Sequence, residues 1–209
     1  MKAPKQKQLD PVPAGNHVAR LYSILHIGTI NNPYKGQDRQ VNTVRLTFEL
    51  CNERKEFKEG EDEKPYSISQ EYTFSMNKKS HLEHLVEGLL GKSLTDAEAA
   101  NIEIEEMLGK ACLLNVIHRE AKASGNLYAN IAGASPLPKG IEVPVMFNPA
   151  KWMSVLDASQ EELDKLPDFL VKKVQSSEEY QQRFYGVEPK ETYSQDDGEV
   201  DYSNDIPFD

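Results

Sequence analysis

Cysteine is scarce in this 209-residue chain, and long apolar runs do not occur. The only two cysteines, Cys51 and Cys112, are too far apart in sequence to indicate a disulfide framework or a metal cluster. A membrane-spanning helix needs about 18 or more consecutive apolar residues, which the chain lacks. Residues 1–14 contain lysines but not the apolar stretch of a secretory signal. We therefore expect a protein of the reducing cytoplasm, with no membrane partner.

Catalytic motifs are also missing. The chain has no Gly-rich phosphate loop with its lysine, no nucleophile elbow and no His-Glu-x-x-His pattern. His81 and His84 have a spacing that can share a metal, but no cysteine or acidic triad nearby completes a site. The carboxylates cluster in a loop and a tail rather than as a general acid and base. The sequence predicts a protein that is not an enzyme and that uses no metal or cofactor.

Negative charge is concentrated in the last residues. Residues 188–209 contain eight acidic residues and one lysine, and so carry −7 of the net charge of −10. The remainder is close to neutral, apart from a second acidic cluster in residues 53–64. Local charge decides whether a groove binds nucleic acid, so the acidic total does not exclude that function. We predict a flexible basic arm over residues 1–15 and a disordered acidic tail over residues 188–209.

Alternating apolar residues predict five strands. In the first strand, residues 16–27, one face is predicted to form the core and the other to be mixed polar and aromatic. The core face holds Ala19, Leu21, Ser23, Leu25 and Ile27, and the mixed face holds Val18, Arg20, Tyr22, Ile24 and His26. The other strands are predicted at residues 44–51, 66–76, 111–118 and 127–132. Residues 31–40, 52–64 and 133–144 are expected to be loops.

Helical spacing with capping signals separates the third strand from the fourth. Ser80 with Glu83, and Thr95 with Glu98, are capping boxes that open helices ending at Gly91 and Gly109. A third box, Ser159 with Glu162, opens a late helical segment that Pro167 interrupts. The resulting fold class is mainly β with helices. Its order is that of a five-stranded Greek-key barrel, the OB-fold, with helices between strands three and four. An α+β sandwich is the alternative.

The chain is predicted to have four parts. After the arm, residues 16–150 form the barrel domain, residues 151–187 form a helical extension packing on the barrel, and residues 188–209 form the tail. Trp152 is expected to anchor the extension.

OB-folds bind single strands by stacking bases on aromatic side chains and contacting phosphates with basic ones. The usual place is the face of strands two and three with the loops joining strands one to two and four to five. Aromatic, basic and polar residues recur in the segments expected to converge there. The candidate residues for single-stranded DNA binding are Arg20, Tyr22, His26, Tyr34, Lys35, Arg39, Arg45, His118, Arg119, Lys122, Tyr128 and Asn130. Each tyrosine has the alternative of covering the barrel under the C-terminal helices.

The chain closes on Asn204-Asp205-Ile206-Pro207-Phe208-Asp209. The run Asp205-Ile206-Pro207-Phe208 resembles the tip of bacterial single-stranded DNA-binding proteins, and the whole chain resembles their phage-encoded counterparts. Three further segments add to the likeness, namely residues 17–24, 44–50 and 166–170. In that family Phe is last, whereas here Asp209 follows it.

The resemblance implies a protein in the cytoplasm of a bacterial host that coats single-stranded DNA during phage replication, recombination or repair. Its tail, through Asp205, Ile206, Pro207, Phe208 and Asp209, would recruit partners such as a polymerase, helicase, primase or nuclease. The alternative is a protein-interaction module, a decoy that mimics the host tail and needs no DNA groove. The sequence leaves the oligomeric state open.

Overall fold

The computed structural model describes residues 11–34, 36–121 and 125–188. Six strands and five α-helices are formed by these residues. The strands are β1 (Gly15–Asn31), β2 (Gln40–Lys55), β3 (Lys64–Thr73), β4 (Ala111–Glu120), β5 (Leu127–Ser135) and β6 (Lys151–Ser154). The helices are α1 (His81–Leu90), α2 (Asp96–Ala100), α3 (Gln160–Leu163), α4 (Asp168–Gln175) and α5 (Glu178–Tyr185), and a 3-10 helix covers Ile104–Met107. The predicted class, mainly β with helices, is confirmed. No helix in the described ranges is long and apolar enough to cross a bilayer.

The strands form one sheet in the order β3-β2-β1-β4-β5, with every neighbouring pair antiparallel. β4 pairs with β1 from Gly15 to Arg20, and the short β6 then runs parallel to β1 from Ser23 to His26. The sheet is open between β3 and β5. At that opening the backbone amide of Ile131 donates a hydrogen bond to Gln70 Oε1 at 2.8 Å.

Two bulges in β1 decide which side chains face which side of the sheet. The register with β2 shifts between Leu21 and Ser23, and again between His26 and Gly28. A single extra residue moves the following side chains to the opposite face. Consequently Leu21 and Ile24 lie in one apolar cluster, whereas Leu25 and Ile27 lie in another. The prediction that Leu21, Leu25 and Ile27 share one core face is therefore wrong beyond the first bulge.

The inner core fills one side of the sheet. It joins buried residues of β1 to β5 with those of α1, α2 and the 3-10 helix, such as Phe48, Leu82 and Met107. Tyr72 belongs to it as well. Helix α1 approaches β5 closely at Gly88, where an added Cβ would lie 2.1 Å from the carbonyl oxygen of Ala134. Only a residue without a side chain fits between this helix and this strand.

The outer core covers the other side of the sheet over the C-terminal half of β1. Leu25, Ile27 and Ile30 pack there against β6 and helices α3 to α5, including Val174 and Tyr180. The carboxylate of Glu179 fastens α5 to the second bulge, because it accepts hydrogen bonds from the amide and hydroxyl of Thr29 at 2.6 and 2.8 Å. Trp152 is half-buried against the inner core from its place in β6. The helices therefore leave uncovered the outer face of the N-terminal half of β1.

Several predicted boundaries differ from the structure. The single helix expected to end at Gly109 is two short pieces, α2 and the 3-10 helix, separated near Asn101. β2 and β3 continue into the charged segment as a hairpin, with Lys55 opposite Lys64, so the loop is shorter than predicted. β6 was not predicted, because four residues are too few to show an alternating pattern.

Candidate functional site

The part of the outer face that the helices leave uncovered carries hydroxyl groups and one arginine, and the segment 136–150 crosses it at Glu49. We call this surface the open face and define it as Arg20, Tyr22, Thr47, Ser67 and Ser69. Thr47 and Ser69 alternate along β2 and β3 with core residues, and their hydroxyl oxygens lie 3.0 Å apart. The Tyr22 hydroxyl donates to Ser67 Oγ at 3.4 Å, which places the ring of this bulge residue across β2 toward β3. The arrangement offers one aromatic ring on a polar, shallow surface.

Arg20 supplies positive charge to the open face. It is half-buried and lies directly opposite Glu49 in the β1–β2 ladder. Its Nε atom is buried without a hydrogen-bond partner, and no carboxylate in the described ranges forms an ion pair with it. A buried donor without an acceptor is unfavourable. Arg20 therefore brings to this face a positive charge that no carboxylate of the described residues pairs with.

Arg45 lies on the same side of the sheet but is covered by α4. Its guanidinium contacts Glu71 at 3.4 Å and lies 5.5 Å from the centre of the Phe169 ring. Lys173 of α4 also binds Glu71, at 2.6 Å. Burial lowers the pKa of Arg45, and the neighbouring Glu71 carboxylate opposes that shift. This arginine is only 14% exposed and holds α4 on the sheet, and the Glu71 carboxylate compensates its charge.

Glu49 is a carboxylate on the outer face that is only 1% exposed. The amides of Phe147 and Asn148 donate to it at 3.2 and 2.9 Å, and Asn148 Nδ2 donates at 2.9 Å. These residues belong to the segment 136–150, which leads from β5 to β6. Because Glu49 is on β2 and β6 joins the opposite edge of β1, this segment crosses the outer face of β1 beside Arg20.

His26 is buried at 4% exposure, not presented on the mixed face that the sequence predicted. Its Nδ1 lies 2.9 Å from Ser154 Oγ, and its Nε2 lies 2.9 Å from Asn42 Oδ1. The first bulge has turned it to the other side of β1, opposite Val44. Both ring nitrogens are occupied, so we assign His26 to the fold and remove it from the candidate interface.

The loop between β1 and β2 holds two predicted residues, Tyr34 and Arg39. Tyr34 forms an isolated bridge with Gln37, and the backbone of Arg39 bonds to Asn31 and Asn32. Both side chains are half-buried. Lys35 lies outside the described residues.

The hairpin of β4 and β5 collects another group. Arg119 lies opposite Tyr128, and Ile117 opposite Asn130, so Arg119, Tyr128 and Asn130 share the outer face. His118 lies on the opposite side, where its Nε2 is 2.8 Å from the carbonyl oxygen of Val12. Lys122 falls outside the described residues.

The predicted residues therefore form separate groups and not one cluster. Arg20 pairs with Ala111 at one end of β4, and Arg119 lies at the other end. At about 3.3 Å per strand residue, the two arginines are about 26 Å apart along the strand. The loop with Tyr34 lies at the other end of β1. A ligand touching more than one group would have to be extended.

The sequence did not predict that Glu49 and the segment 136–150 belong to the candidate site. Glu49 was only a polar residue in an alternating strand, and the segment was a Pro/Gly-rich loop. The sequence did hold one indication of a role for this segment, since the aromatic residue Phe147 lies between Pro144 and Pro149 in a loop. The tail residues Asp205, Ile206, Pro207, Phe208 and Asp209 lie outside the described ranges. No group of three or more potential metal ligands occurs within those ranges.

Comparison of the sequence with protein-family models and with curated proteins finds no match.

Proposed function

We propose that this protein binds single-stranded DNA without strong sequence preference and coats it during phage replication or recombination. The observation that carries the proposal is Arg20, which has no ion-pair partner among the described residues, beside the Tyr22 ring on a hydroxyl-lined face. Unpaired bases stack on aromatic rings, and arginine binds the phosphates between them. The hydroxyls of Thr47, Ser67 and Ser69 can donate to phosphate or sugar oxygens.

The strand order supports a finer assignment of the fold. We propose a five-stranded OB barrel that is open between β3 and β5, because β3-β2-β1-β4-β5 with helices between β3 and β4 is that barrel's order. In such a barrel the face of β2 and β3 is the usual binding surface. Here α4 covers one end of that face at Arg45, so the strand would enter at the Arg20 end.

A salt titration tests this function. Binding of a fluorescent dT oligonucleotide is measured at several salt concentrations for the full chain, for Arg20→Ala and for Tyr22→Ala. Lys165→Ala is the matched control, since this exposed lysine lies near α4 and away from the open face. We expect binding at low salt that weakens as salt rises, weaker binding by both open-face variants and an unchanged control. Failure to bind at low salt, or preference for duplex DNA, contradicts the proposal.

The tail enters the proposal through its sequence. Removing residues 188–209 should tighten DNA binding, because an acidic tail competes with DNA for a basic surface, and should abolish recruitment of partner enzymes. A decoy that mimics a host tail would behave differently. Its capture of a partner would survive Arg20→Ala, and it would show no DNA binding with or without the tail.

A further inference from the structure

Phe147 presents an aromatic ring to solvent beside the open face. Its side chain is 47% exposed, although a free apolar ring of this size is usually buried. The Arg54 guanidinium lies 5.5 Å from the centre of this ring. The ring and the cation thus form one stacked pair on the surface.

The position of Phe147 is fixed from below. Its own amide and both the amide and side chain of Asn148 donate to the buried carboxylate of Glu49. Hydrogen bonds to a carboxylate are roughly twice as strong as neutral ones. The rest of the segment 136–150 has no helix or strand, so this anchor holds the ring in place.

The charge of Arg54 is not consumed by its contacts. Its Nη1 donates to the carbonyl oxygen of Glu63 at 3.1 Å, and no carboxylate of the described residues lies within ion-pair distance. Two acids of the same hairpin have other partners, since Glu61 pairs with Lys58 and Lys64, and Glu53 faces His17. A phosphate approaching Arg54 would therefore meet an available cation.

We propose that Phe147 and Arg54 form a second nucleotide subsite, in which an unpaired base stacks on Phe147 and its phosphate binds Arg54, with Glu49 as the positioning residue. The subsite rests on the proposed function and extends the path of the strand from Tyr22 and Arg20 across β2. Its ligand is a single-stranded polynucleotide, because a flat ring beside a cation fits a base and its phosphate together.

Oligonucleotide titrations with matched variants test the subsite. Phe147→Leu keeps the apolar bulk and removes the ring, Phe147→Trp keeps a ring, and Val145→Ala alters a residue of the same segment that is 92% exposed. Arg54→Ala removes the cation. Glu49→Gln removes an acceptor below the ring. Each full-length variant is titrated with labelled dT oligonucleotide and with an abasic strand of equal length, at several salt concentrations.

The expected pattern separates stacking from charge. Phe147→Leu should weaken dT binding by about 5- to 150-fold, the loss of one stacked base, with no effect on the abasic strand. Phe147→Trp and Val145→Ala should bind as wild type. Arg54→Ala should weaken binding to both strands and reduce the salt slope by about 0.7. Glu49→Gln should act in the same direction as Phe147→Leu.

Two results would overturn the subsite and remain distinguishable. If the wild-type chain binds dT and Phe147→Leu binds it equally well, the proposed subsite is wrong but the proposed function stands. The exposed Phe147 ring would then be a candidate contact for a protein partner. If the wild-type chain does not bind dT at low salt, the proposed function fails and the subsite fails with it.

Discussion

Replacing Arg20 and Arg45 one at a time should separate DNA binding from stability. Both arginines lie on the outer face, and the sequence treats them alike. In the structure Arg45 is covered by Phe169 and paired with Glu71, whereas Arg20 has no ion-pair partner in the described ranges. We expect Arg45→Ala to lower the free energy of unfolding and Arg20→Ala to lower DNA affinity.

The magnitude for Arg45 follows from its contacts. A hydrogen bond to a charged group contributes about 1.5–3 kcal/mol at good geometry, and a cation–π contact about 0.5–2 kcal/mol. The Arg45–Glu71 distance of 3.4 Å is long, and Glu71 keeps Lys173 at 2.6 Å, so no carboxylate is left unpaired. We therefore expect a loss of about 1–3 kcal/mol, which lowers the melting temperature of a chain this size by roughly 3–10 °C.

Arg20→Ala loses no hydrogen bond at Nε, so its unfolding free energy should change by less than about 1 kcal/mol. Its dT affinity should fall by about 10- to 150-fold, the worth of one hydrogen bond to a charged phosphate, and its salt slope by about 0.7. Urea unfolding and oligonucleotide titration measure both quantities on the same samples. Two results would contradict these roles of the two arginines. One is an Arg45→Ala variant that keeps wild-type stability but loses DNA affinity, and the other is an Arg20→Ala variant that unfolds more easily but binds DNA normally.

Three further predictions concern the fold. Gly88→Ala should destabilise the protein by several kcal/mol in urea unfolding, because its Cβ would meet the Ala134 carbonyl oxygen at 2.1 Å; wild-type stability would show that α1 can move away from β5. Burial raises the pKa of Cys112 to about 12 and also raises that of Cys51, so a thiol reagent at pH 8 should label neither cysteine until the chain is unfolded in urea; rapid labelling of the native protein would contradict the burial of both. Hydrogen bonds from the Lys92 ammonium and from Thr95 lower the pKa of Glu98 to about 2, so its contribution to stability is present above about pH 4.3 and is lost as the pH falls towards 2. Urea midpoints of Glu98→Gln should therefore decline less than those of wild type between pH 4.5 and 2.5, and parallel curves would show that Glu98 does not contribute there.

Local signals predicted helix starts well. The capping boxes at Thr95 and Ser159 both form, with reciprocal bonds to Glu98 and Glu162, because each needs only four consecutive residues. At Ser80 the side chain accepts from the Glu83 amide, but Glu83 forms no reciprocal bond to that cap in the described structure. The class and the order of five strands followed from alternation alone.

The faces of β1 could not be derived from alternation. The bulge at Tyr22 is not marked by a change of spacing, since Leu21 and Leu25 keep the same two-residue period on either side of the polar Ser23. One signal was available, because Ile24 and Leu25 are adjacent apolar residues and Ile27 follows after His26, which is typical of a strand buried on both sides. That pattern indicates a second core without showing which elements supply it.

The candidate site was predictable in residue type more than in place. Arg20 and Tyr22 were identified by their position on the mixed face, and they do share the open face. Arg45 was expected to be available, yet Phe169 covers it and Lys173 binds its partner Glu71, both from more than a hundred residues further along the chain. Contacts between such distant segments have no local signature, so the role of Glu49 under Phe147 was equally hidden.

The division of β1 between two cores has a consequence for synthesis on the ribosome. The buried inner-core partners of β1 have been synthesised once β5 has emerged. Leu25, Ile27 and Ile30 pack instead against Val174 and Tyr180, which are synthesised later. At about 5–20 residues per second, these apolar side chains stay without partners for on the order of 10–30 s after they are made. Nascent chains that stall before α5 would therefore expose the apolar side chains of β1, and we expect them to aggregate or to be bound by chaperones.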